Sequence, residues 1–147
     1  MSYKLFAIVP IVAALAWTFT ASRAEDHPQA HSMVECAKAC DDCARACEAC
    51  TYHCGKMLAD GMKEHLESQR LCADCATVCS AASSVVARQG PMSLLVCTAC
   101  ADACKRCAES CEKFKDDATM KACAAECRKC EKACLEMVKA HRANVAK

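Results

Sequence analysis

The chain has 147 residues, enough for one domain built on one core, and cysteine contributes 18 of them. It holds one Trp, two Tyr and three Phe, so something other than large apolar side chains must fill its centre. The formal net charge of +1 gives no electrostatic case for nucleic acid, and only three Gly and three Pro interrupt the chain.

The first 24 residues read as a signal peptide. Lys4 is the basic lead, Leu5 to Phe19 is the apolar stretch, and Ser22-Arg23-Ala24 ends on small residues at a cleavage site. Cleavage after Ala24 is expected, giving an exported, periplasmic protein with no membrane anchor after processing. It would remove Lys4 and Arg23, leaving 17 of the 19 basic residues against 18 acidic ones, a net charge of −1. Residues 25–31 read as a flexible polar lead-in.

Residues 32–143 divide into four cysteine-bearing segments. The first carries Cys36, Cys40, Cys43, Cys47, Cys50 and Cys54. At about 100° per residue these fall within an arc of roughly 80° on a helix. Lys38, Asp41, Asp42, Arg45 and Glu48 fall on the opposite side. Ser32 and Glu35 form the pattern of a capping box, and Asp60-Gly61 marks the end. The second segment carries Cys72, Cys75 and Cys79, with Leu66, Leu71, Val78, Val85 and Val86 expected to add ordinary apolar packing. Gly90-Pro91 ends it. The third carries Cys97, Cys100, Cys104, Cys107 and Cys111. The fourth carries Cys123, Cys127, Cys130 and Cys134, opened by the capping residues Asp116 and Asp117.

Within every segment the spacing alternates between three and four, the pattern of a helix that faces partner helices. Helices are expected near 32–58, 61–88, 92–114 and 117–143. Short loops then favour an all-α, antiparallel up-down-up-down four-helix bundle with a cysteine-lined core.

Three chemistries suit such a core. A disulfide-stapled structural or interaction module fits an exported cysteine-rich chain. However, neighbouring stripe positions on one helix lie about 5–6 Å apart at Cβ, too far for an unstrained bridge, so only bridges between helices would serve. A zinc or iron–sulfur protein would gather cysteines around turns, whereas these run in straight rows. Cu(I) prefers thiolate and thioether, accepts two or three of them, and lets thiolates bridge successive ions. Multiple Cu(I) ions per chain is the favoured reading. Met33, Met92, Met137 and His141 extend the stripes at one end and are candidate mouth ligands. Met57, Met62, His65, Phe114 and Met120 gather at the other, where Phe114 reads as a plug and Met57 and Met120 as core. His53 reads as a solvated neighbour of the stripe. No nucleophile–base pair, phosphate loop or paired carboxylate appears, so no enzyme is expected.

The row from Cys36 to Cys54, the run from Cys97 to Cys111 and the run from Cys123 to Cys134 resemble the copper storage proteins, a family of cysteine-lined bundles. The resemblance covers about residues 32–143. It implies inward-pointing cysteines that hold Cu(I), storage or detoxification rather than catalysis, and assembly as a homo-oligomer, a tetramer. It leaves the copper donor and acceptor unnamed.

Overall fold

The computed structural model describes residues 28–145; the expected signal peptide and the start of the lead-in lie outside them. Four helices follow in order: α1 Pro28–Ala59, α2 Leu66–Ala87, α3 Ser93–Cys111 and α4 Ala118–Val145. A short 3-10 turn, Lys63–His65, leads into α2. Each helix packs against its sequence neighbours, and α4 closes on α1, so the four form the expected antiparallel bundle.

The helix ends explain the short loops. At the end of α1 the Gly61 N–H donates to Leu58 and the Met62 N–H donates to Met57, with Gly61 at φ 87°. This is a Schellman stop, which requires the left-handed conformation that glycine supplies without strain. The end of α2 repeats the pattern, with Gln89 N–H donating to Val86 and Gly90 N–H to Val85. Here the left-handed residue is Gln89, at φ 51°, and not the glycine beside it. α4 begins as expected at a capping aspartate. Asp117 Oδ1 accepts from the backbone N–H groups of Thr119 and Met120 at 2.8 and 3.0 Å.

Three local expectations change. α1 starts at Pro28, so Ser32 lies inside the helix and the Ser32–Glu35 capping box is not its start. Proline is well suited to a first turn, which lets the helix extend upstream. Pro91 sits in the turn before α3, and α3 ends at Cys111, short of the expected residue 114. The inner face of α2 is less aliphatic than expected. Val86 is buried, but Leu66 is 42% exposed, and Ala76, Ala82 and Ser68 face the core instead. Small residues there leave room for sulfur from the three facing helices.

Replacing Gln89 by Gly should stabilise the metal-free protein by roughly 1 kcal/mol, because it removes the steric cost of a left-handed residue bearing Cβ. Urea denaturation followed by circular dichroism tests this; an unchanged or lower midpoint contradicts it.

Candidate metal centre

All eighteen cysteines are free thiols and all are buried, none more than 2% exposed. The helical stripes bring them inward, and the antiparallel packing sets them against one another in steps. α1 meets α4 at Cys36–Cys134 (3.8 Å), Cys40–Cys130 (3.6 Å), Cys43–Cys127 (3.7 Å) and Cys47–Cys123 (3.8 Å). α2 meets α3 at Cys72–Cys107 (3.5 Å), Cys75–Cys104 (3.8 Å) and Cys79–Cys100 (3.5 Å).

The diagonal pair α1 and α3 runs parallel and also meets through sulfur. Cys36 faces Cys97, Cys40 faces Cys100, Cys43 faces Cys104 and Cys47 faces Cys107, at 3.6 to 3.9 Å. Diagonal helices of a bundle are normally separated by larger side chains. Here the thiols fill the axis itself, so the sulfurs form one continuous column. Cys43 alone has Cys47, Cys104 and Cys127 within 3.9 Å. A thiol with three equivalent sulfur neighbours has no assigned disulfide partner, which weighs against a scaffold of specific bridges.

Groups of four Sγ atoms lie within 4.8 Å of one another, among them Cys40, Cys100, Cys130 and Cys134, and Cys47, Cys107, Cys123 and Cys127. Each of these groups draws on more than one helix, so metal binding here cross-links the bundle.

Burial and contact between thiols together set the charge state. Burial pushes the Cys54 thiol up to about 12, with the Cys50 thiol adding to the effect. At Cys97 the Cys134 thiol pulls downward, but the Cys36 thiol and burial outweigh it and the group rises to about 12. Inside the column the directions alternate. The Cys104 S–H draws Cys43 below the ordinary thiol range, while contact with Cys107 holds Cys47 above it. A thiol that keeps its proton stabilises the thiolate next to it, so the column titrates as one coupled system.

The two ends differ. At the end where α1 begins and α4 ends, one further step along the stripes brings the buried Met33 on α1 and Met137 on α4 beyond Cys36 and Cys134. His141 is half-buried, with Nδ1 free of any hydrogen-bond partner. Met92 is not brought into this set: it is 52% exposed at the N-terminus of α3.

At the opposite end, the structure adds a ligand candidate that sequence reasoning placed in the core. Met120 Sδ accepts from Cys50 Sγ at 3.4 Å and from Cys54 Sγ at 3.6 Å. Its signal was available: Met120 continues the α4 stripe one step before Cys123. His65 likewise continues the α2 stripe. It is 4% exposed, with neither ring nitrogen hydrogen-bonded, and its ring lies 4.2 Å from the Phe114 ring. Phe114 therefore caps this end, as expected, by covering an imidazole. His53 is not simply solvated, because its Nε2 lies 2.6 Å from Asp117 Oδ2.

Comparison with known proteins fits this geometry. The family model for copper storage proteins matches residues 21–139. A cytosolic copper storage protein from Streptomyces lividans, solved during loading with five coppers, is 32% identical. That match covers 76% of this chain and 96% of that one, with a TM-score of 0.68. The Streptomyces lividans protein loaded with ten copper equivalents is 33% identical over 74% of this chain and 85% of that one, at a TM-score of 0.66. The Cu(I)-bound copper storage protein BsCsp3 is 34% identical over 70% of this chain and 94% of that one, at 0.62. A search of curated proteins returned no match.

The raised thiols make the metal-free fold sensitive to alkali. Cys54 and Cys97 titrate at about 12 when folded, against about 8.5 for a free thiol. Their contribution to stability is complete below the unfolded value and is lost as pH rises through the folded one. The urea midpoint of reduced, metal-free protein should therefore fall steadily above about pH 8.5. A flat profile to pH 11 would contradict a protonated thiol core.

Proposed function

Because the chain belongs to the copper storage protein family, we propose that its thiol column takes up Cu(I) in bulk and holds it, as a store that also withdraws the ion from solution. One observation carries this reading: eighteen free thiols are buried in one core, with sulfur contacts of 3.5 to 4.0 Å between cysteines along it and Cys50 and Cys54 joined to it through Met120. Each Cu⁺ that binds releases a thiol proton and cancels the thiolate charge it creates. Filling at one ion per cysteine thus leaves a neutral core, and capacity approaches roughly 18 ions per chain. A dry column of neutral copper–thiolate units costs the bundle no buried charge, which is why thiolate and Cu(I) suit each other here.

The ligands in this reading are the eighteen cysteines. Met33, Met137 and His141 extend the column at one end, and Met120 and His65 extend it at the other. Thioether and imidazole bind Cu(I) more weakly than thiolate, and suit exchange rather than retention. The column offers no activated nucleophile open to a substrate, so the role is storage rather than catalysis.

Export and self-assembly belong to the same reading. Lys4, the apolar stretch Leu5 to Phe19 and Ser22-Arg23-Ala24 support cleavage after Ala24 and a periplasmic location. Val34, Leu95 and Leu135 place apolar side chains on the outside of α1, α3 and α4, at 62%, 61% and 53% exposure, and support assembly into a homo-oligomer.

Anaerobic titration of the reduced protein with Cu(I), against a chromophoric chelator, should break sharply near the cysteine count. Changing Cys43, Cys47 and Cys50 together to Ala should lower that break by about three ions and leave the helical circular dichroism of the metal-free protein in place. A break at one to four ions in the parent protein would overturn the store.

Expression of the full chain in a bacterial host, followed by fractionation and intact-mass measurement, tests the address. A periplasmic product beginning at Glu25 is expected. An uncleaved product confined to the cytosol would overturn export.

A further inference from the structure

The sulfur spacings of the column fit a second class of ion. A metal–thiolate bond of ~2.3 Å gives a tetrahedral edge of ~3.8 Å, whereas two sulfurs on opposite sides of one ion stand ~4.6 Å apart. Around Cys40, four contacts follow the shorter figure: Cys40–Cys100 at 3.9 Å, Cys40–Cys134 at 3.6 Å, Cys40–Cys130 at 3.6 Å and Cys100–Cys130 at 3.8 Å. With Cys134 they make a closed group of four, all within 4.8 Å. Cys43, Cys47 and Cys127 form a triangle of 3.9, 3.7 and 3.6 Å, and Cys75 completes the second group. Cys50, Cys72, Cys111 and Cys123 form a third. These three groups share no residue.

We propose that the copper-free bundle binds Zn²⁺, or a divalent ion of like tetrahedral preference, at these three separate tetrathiolate cages, and that Cu(I) displaces it. The inference rests on the reading that the thiols are the metal ligands. A thiolate pair along one helix cannot make such a cage. The cages exist because the diagonal and adjacent contacts converge on the bundle axis.

Charge sets the order of occupancy. One Zn²⁺ in a tetrathiolate cage releases four protons and leaves a net charge of −2 in the core. Thiols outside the cages offset part of this by donating S–H to cage sulfurs: Cys79 lies 3.5 Å from Cys100, Cys104 lies 3.8 Å from Cys43, and Cys107 lies 3.5 Å from Cys72. Four Cu⁺ entering the same cage expel one Zn²⁺ and leave it neutral. Geometry therefore admits the divalent ion and electrostatics favours its replacement. Until copper arrives, the bound ion holds the thiolates in place and out of reach of oxidation.

The test uses Co²⁺ as a visible stand-in for Zn²⁺, added anaerobically to the reduced full chain. Intense d–d bands and thiolate-to-cobalt charge transfer, typical of tetrahedral sulfur ligation, should grow to a break at three ions per chain. Added Zn²⁺ should bleach them. Cys127→Ser removes a member of the second cage and should lose one of the three equivalents. Cys104→Ser lies outside all three cages and should keep three, although it lowers copper capacity. Circular dichroism reports whether each variant folds. A pale octahedral spectrum, or equal losses in the two variants, would overturn the cages. If Cu(I) still fills a sample that shows no tetrahedral cobalt, the copper store stands and this inference alone falls.

Discussion

A thiolate inside a helical core costs several kcal/mol when nothing neutralises it, and eighteen of them in one column would repel each other as well. The bundle is therefore compatible with its own core only when each sulfur carries a proton or a metal ion. Much of the rest follows from that constraint. The helix exteriors carry the charge, in pairs such as Lys38–Asp42 and Arg106–Asp102 along single helices. The Arg128 guanidinium reaches across from α4 to both carboxylate oxygens of Glu112 at 2.9 Å, and fastens α4 to the end of α3 from outside. Ion pairs of this exposed kind add little stability each. Their value is that they keep charge off the inner face.

The same constraint explains how so few large side chains suffice. Cysteine and alanine fill most of the interior, and the largest fully buried side chains are Met120, Met137 and Val86. These three sit toward the ends of the column. The middle is sulfur packed against sulfur. Metal held between helices then adds cross-links that the thiol contacts alone do not provide.

The ends of the column are where donor types change. Met120 and His65 replace cysteine on the stripes of α4 and α2, and Ser68 and Ser110 share a buried hydrogen bond of 2.8 Å nearby. The Asp117 carboxylate, which caps α4 and pairs with His53, fixes the loop that covers this end. The opposite end is closed by thioethers and Val86. The column is thus bounded on both sides by thioether and imidazole side chains rather than thiols.

The three–four spacing of the cysteines by itself determined the helices and the inward face of each, because a side chain's direction on a helix depends only on its position in the turn. The stop at Gly61 and the start at Asp117 were legible for the same local reason. Gln89 was not, because the strained residue of that turn is fixed by where α2 must end against α3, and the adjacent Gly90 masks it in the sequence. Nor was the role of Met120 as a neighbour of Cys50 and Cys54. Which thiols meet across the bundle, at Cys36–Cys97 or Cys43–Cys127, depends on the relative height of whole helices. Loop closure and packing between distant segments set that height, and no spacing within a single helix encodes it.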